Sequence, residues 1–145
     1  MTNVSMKLTQ ACMKAILSGE CHLLEDSITA VLLSPAYSFE NSHRQYADIK
    51  AFSLKSSDYQ PVQLNGKRIF DPASFISDPI NFGDPVTIGP VGAVALVKAF
   101  PKALKDTSLL LAVGNIKKSG SPVESIRGPF ILTPSPSGWF TFSQP

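Results

Sequence analysis

Charge is scarce in this sequence: Asp, Glu, Lys and Arg make up 17% of its 145 residues, against about 25% in an ordinary soluble domain. Thirteen basic and eleven acidic residues leave a net charge of only +2, with both signs spread along the chain. A nucleic-acid binder concentrates Lys and Arg where several phosphates can be neutralised together. The nearest approach here is Lys117-Lys118, in a segment that reads as a loop, so direct nucleic-acid binding is not expected. Cysteine is scarcer still, and Cys12 and Cys21 are too few for a disulfide scaffold. With His22 and His43 they would make four zinc ligands, yet their order and separations match none of the usual metal spacings. The simpler reading is a core thiol at Cys12 and surface histidines, with no metal and no cofactor site.

Long apolar runs are missing as well. No window approaches the ~18 residues of a membrane-crossing helix, so no membrane partner is expected. The N-terminus lacks the unbroken apolar core and cleavage signature of a signal peptide. The expectation is a chain made in a cytoplasm and kept there until it is packaged into something larger. Its length suits one domain over residues 1–145, large enough for a continuous core.

Proline is absent from residues 1–34, which contain one glycine; all twelve prolines and the other eight glycines follow. The first part can therefore hold a helix, while the rest is cut into short strands. Leu8, Ala11, Cys12, Ala15 and Ile16 recur at helical spacing, with Lys7, Lys14 and Ser18 opposite. That predicts an amphipathic helix over about 5–18, capped by Ser5 or Asn3 and closed by Gly19.

Strands are predicted at 27–34, 50–54, 60–64, 68–70, 85–88, 92–100, 108–114, 128–133 and 139–142, each bounded by turn formers. In Ile28–Leu33, Ala93–Val97 and Leu109–Val113 nearly every position is apolar, so these read as central strands covered on both faces. The last two look like a hairpin pair joined through Phe100–Asp106. The fold class is mainly β: an antiparallel β-sandwich over about 27–143, with a jelly roll among its variants, and one short N-terminal α-helix.

Catalytic patterns do not emerge. A Ser/His/Asp triad would need His22 or His43, and neither has a nucleophile context such as Gly-x-Ser-x-Gly. Glu25-Asp26 reads as the polar end of a loop, and Gly89-Pro-Val-Gly92 lacks the lysine and helix of a phosphate loop. The expectation is a chain that is not an enzyme.

Contact chemistry is better represented. Between Pro35 and Ile49 lie Tyr37, Phe39, His43, Arg44 and Tyr46, and aromatic and Arg side chains are enriched at interface centres. The same aromatics could instead fold back to close one end of the sandwich. Lys117 and Lys118 sit in a second candidate contact loop, Ile116–Pro122. Trp139 reads as a core plug.

The order of these elements resembles a family of small structural proteins of tailed-phage virions. There a short helix ending in small residues and Gly precedes a strand, a Tyr-containing loop and an Asp-Ile step, here Ala11–Gly19, Ser27–Ser34, Tyr37–Tyr46 and Asp48-Ile49. Leu64-Asn-Gly-Lys67, Phe70-Asp-Pro-Ala-Ser-Phe75, Pro85–Ile88 leading into Gly92–Phe100, and Gly128–Thr133 with Gly138–Phe142 extend the similarity over most of the chain. Where the family is richer in acidic residues and threonine, this chain has Pro72, Pro79, Pro85 and Pro90, which would protect an exposed sheet edge. The resemblance implies a virion component without catalysis: a capsid decoration or cement protein bound to the major capsid protein, with a tail, neck or baseplate accessory as the rival. Other virion structural proteins, or further copies of the chain itself, would be its partners. A small cytoplasmic β-sandwich that captures a peptide or a sugar is the reading outside the virion.

Overall fold

The computed structural model describes residues 2–55, 57–70, 73–118 and 121–141. Strands β1 (Thr2–Val4) and β2 (Lys7–Leu8) precede helix α1 (Gln10–Leu17), and β3 (Ile28–Leu33) follows it. The middle of the chain forms β4 (Val62–Gln63), β5 (Arg68–Phe70), β6 (Ser74–Ile76), β7 (Ile80–Asn81) and β8 (Val86–Val91). The remainder forms β9 (Ala93–Lys98), β10 (Leu109–Asn115), β11 (Lys117–Lys118), β12 (Ser121–Gly128), β13 (Ile131–Pro134) and β14 (Phe140–Thr141). A five-stranded sheet, β2-β10-β9-β3-β4, is accompanied by three small ones, β1-β13-β7, β11-β12-β8 and β14-β6-β5. Described pairings are antiparallel except that of β1 with β13, which is parallel. The chain is thus mainly β, with multiple antiparallel sheets and one short helix near the N-terminus, as its punctuation suggested.

The three apolar runs become neighbouring strands, and β9 and β10 pair as the expected hairpin, Val97 opposite Leu110 and Val94 opposite Gly114. Every residue of β3 is buried, as are Ala93–Val97 and Leu110–Val113, because this sheet is covered twice. Ile28, Ala30, Leu32, Val94, Leu96, Leu111 and Ala112 join the larger core, with Phe75, Ile80, Phe82, Ile88, Leu132, Trp139 and Phe140 from the small sheets and their connections. Val31, Leu33, Ala93, Ala95, Val97, Leu110 and Val113 join a second core under Tyr37, Ile49 and the half-buried Phe39, Tyr46, Phe52 and Leu104. Trp139 does plug the larger core, fully buried, with its indole N–H donating to Ser77 Oγ at 2.8 Å.

One irregularity ties the helix to the sheet. Leu110 pairs with Val97 and Ala112 with Leu96, so Leu111 is an extra residue, a β-bulge. Bulges leave backbone groups unpaired, and Thr9 takes them up: its N–H donates to the Leu111 carbonyl at 3.0 Å and its hydroxyl to the Leu110 carbonyl at 2.7 Å. The same hydroxyl accepts the Cys12 N–H at 3.0 Å and so caps α1. At the other end Gly19, at φ +79°, donates to Ile16 O while Glu20 N–H reaches back to Ala15 O, a Schellman closure that needs the left-handed residue.

Several boundaries differ from expectation. The helix runs over Gln10–Leu17 rather than 5–18, and neither Ser5 nor Asn3 caps it, because Lys7 and Leu8 are drawn into pairing with β10. Residues Lys50–Phe52 form a 3₁₀ turn instead of a strand; Phe52 folds under the second core. The segment Ile116–Pro122, expected as a loop, contributes β11 and the start of the eight-residue β12. Closing residue Phe142 and Pro72 lie outside the described residues. Pro90 lies in β8, an outer strand of its sheet, and both it and Pro85 follow cis peptides, whereas Pro122 and Pro134 stand in the middle strands β12 and β13.

Candidate functional site

The loop from Pro35 to Ile49 runs across one face of the central sheet, and its course is set by backbone bonds to the start of β10. Tyr46 N–H donates to Ser108 O at 2.8 Å, Ala47 N–H to Asp106 O at 3.0 Å, and Leu110 N–H to Arg44 O at 3.0 Å. Asp48 accepts the N–H groups of Arg44 and Gln45 at 2.9 and 3.1 Å. The first of those bonds chiefly, outweighing the effect of burial, holds its carboxyl below the usual aspartate value.

The loop aromatics turn inward. Tyr37 is buried, with its ring edge-on to Phe52 at 5.4 Å, while Phe39 and Tyr46 are half-buried against the same core. Tyr37 is therefore part of the cover over that face of the sheet, and it is not available as an exposed contact residue. His43 is not a surface histidine either. Its Nδ1 lies 2.8 Å from the Tyr37 hydroxyl, and its ring stands edge-on to Phe39 at 6.1 Å. Burial first, then the Asp48 and Glu40 carboxylates, push the Tyr37 hydroxyl up to about 12. It stays protonated and shares a hydrogen bond with Nδ1, while Nε2 of the same ring lies 3.7 Å from Glu40.

Of the expected contact residues, Arg44 is exposed and borders a cleft of about 540 Å³ between the loop and α1. Lys14, Gln10, Glu20 and His43 share its lining. Lys7 adds a cation 5.7 Å above the Phe39 ring. Lys117 and Lys118 belong to β11, in a different sheet; their side chains lie outside the described residues. The structure thus gathers Tyr37, Phe39 and His43, leaves Arg44 beside them at the cleft, and assigns the lysine pair elsewhere.

Sequence reasoning missed a second surface. The turn leaving α1 and the edge strand β5 flank a mostly apolar groove of about 350 Å³ lined by Ile16, Cys21, Leu23, Leu24 and Ile69, with His22 and Glu25. It adjoins a smaller hollow of about 140 Å³ that shares Leu23 and Ile69. Two residues of its lining, Leu24 and Ile69, are 49% and 56% exposed. The signal was present in Leu23-Leu24 and Ile69-Phe70, but a two-residue apolar step carries no period and so no face.

Metal chemistry finds no foothold: among the described residues no three His, Cys, Asp or Glu side chains gather as ligands. Cys12 and Cys21 are both free and buried, and His43 is bonded to Tyr37. No helix among the described residues is long and apolar enough to cross a membrane. No protein-family model, curated protein or solved structure matches this chain.

Proposed function

We propose that this chain is a non-enzymatic structural protein of a tailed-phage virion, a capsid decoration or cement protein that binds the outer surface of the major capsid protein lattice and stabilises the head. The observation that carries this reading is the pair of exposed apolar side chains, Leu24 and Ile69, that line an open groove on a charge-poor β scaffold. Apolar area of that kind loses its cost when a neighbouring protein covers it. A scaffold whose central sheet is buried on both sides has little order left to lose on binding. Repetition over a lattice then makes modest affinity sufficient, since each further contact of a tethered domain is effectively intramolecular.

Mass spectrometry and electron microscopy of purified particles test the proposal. The expected result is a copy number matched to the head lattice, with density for the domain on the outer shell and DNA release at lower temperature when the chain is omitted. Density on the tail, neck or baseplate would replace the decoration reading by the accessory one, and absence from mature particles would sink both. The cleft between α1 and the Arg44 loop favours one other reading, a small binding module that captures a peptide or sugar. Saturable binding of such a ligand by the isolated monomer, lost in Arg44→Ala, would select it.

A further inference from the structure

Cys12 and Cys21 are nine positions apart in sequence and neighbours in space. Cys12 is fully buried on the inward face of α1, one turn before Ala15. The Schellman closure returns the chain so that Cys21 N–H donates to the Ala15 carbonyl at 3.2 Å, which brings its side chain back along that same face. Both side chains belong to the same buried core cluster, and each thiol shifts the titration of the other. They differ in access. Cys12 faces only core, whereas Cys21, though 4% exposed, forms part of the wall of the groove flanked by Leu24 and Ile69.

The surroundings of Cys21 favour a thiolate there over one on Cys12. Lys98 bonds to Glu20 O at 2.6 Å and Asp26 at 3.4 Å, and Lys67 bonds to Asp26 O, so two ammonium groups stand around the Cys21 sulfur. The neighbouring Cys12 thiol lowers its pKa most, the lysines add to that, and burial and Asp26 oppose them. Thiolate character and access together decide which cysteine reacts first.

We infer that Cys21 and Cys12 form a thiol oxidation site, in which a low-molecular-weight disulfide entering the apolar groove is exchanged for an intramolecular Cys12–Cys21 bond. The Cys21 thiolate attacks one sulfur of the small disulfide, forming a mixed disulfide and expelling one small thiolate. Cys12 then gives up its proton to that thiolate and attacks the Cys21 sulfur, expelling the second. In sum, two protein thiols and one small disulfide become one protein disulfide and two small thiols. The bond ties the first turn of α1 to the chain that leaves the helix and closes a short loop, which restricts the unfolded chain. This inference stands apart from the virion reading, since it concerns the isolated chain.

The experiment uses the full chain with oxidised glutathione as probe, followed by unfolding, alkylation with iodoacetamide and intact-mass measurement. The expected product is a monomer two hydrogens lighter that takes up no alkyl group, with a melting temperature several degrees above the reduced form. In Cys12→Ser, Cys21 should retain one glutathione; in Cys21→Ser, Cys12 should retain none under the same conditions. Two alkylated cysteines in the treated wild type, or a disulfide linking two chains, would overturn the inference whatever the variants do. A glutathione adduct on Cys12 in Cys21→Ser, formed as fast as that on Cys21 in Cys12→Ser, would overturn the assignment of the attacking thiol.

Discussion

The two faces of the central sheet are buried to the same degree by different means. One lies under α1 and hydrogen-bonded strands from the small sheets, where Trp139, Phe75, Phe140 and Leu132 interlock. The other lies under a connection, the loop and 3₁₀ turns between Tyr37 and Phe52, helped by Leu104. Strands that share ladders move together, whereas a loop held at its ends and by Asp48 can shift its middle. Burial alone therefore does not measure how firmly a face is covered; the hydrogen bonding of the cover does.

Adjacent residues on β10 give the sharpest comparison, since Leu110 and Leu111 are both 0% exposed and point to opposite cores. Leu-to-Ala losses span about 2–5 kcal/mol according to how far the site can collapse around the cavity. Leu111→Ala should fall near the top, about 4–5 kcal/mol, and Leu110→Ala near the bottom, about 2–3 kcal/mol, because the loop can settle into the void. Urea midpoints at unchanged slope measure both. Equal losses would mean that the loop is as unyielding as the strands, and the distinction between the faces would fail.

A smaller effect is expected at the bulge. Thr9→Val keeps the side chain's shape but removes the hydroxyl that caps α1 and satisfies the Leu110 carbonyl, which should cost about 1–3 kcal/mol. Thr9→Ser should recover most of it, read by the same urea titration. A Thr9→Val variant as stable as wild type would show that the hydroxyl contributes nothing, and any shortfall in Thr9→Ser measures the methyl group's packing.

The smallest effect concerns the loop cover and pH. Asp48 has its folded pKa below the unfolded value of 3.8, so its contribution is complete above that value and is lost as pH falls through the folded one. Asp48→Asn should therefore be less stable than wild type at pH 7, with the gap closing below about pH 3.8. A gap that stays constant across the acid range would show that the carboxylate's charge is not what holds Arg44 and Gln45.

How much of this was legible follows from where the information lies. The three central strands could be read because burial on both faces erases alternation, leaving unbroken apolar runs. Gly19 could be read because a left-handed residue restricts identity at one position. The helix start could not, since Lys7 and Leu8 fit a helix by spacing and become a strand only because β10 has an open edge there. Nor could β12, whose polar, proline-bearing segment gains its order from pairing with β8. At the candidate site the aromatic loop was located from composition, but whether Tyr37 faced core or solvent depended on the sheet beneath it. The groove beside Ile69 joins segments more than forty residues apart and left no local trace.

The parallel pairing of β1 with β13 has a mechanical consequence. Thr2, Asn3 and Val4 lie opposite Leu132, Thr133 and Pro134 with both strands running the same way. Tension applied at the start of β1 and the end of β13 would load these bonds in shear, all at once, instead of peeling them open singly. Along that line the pairing resists as a unit.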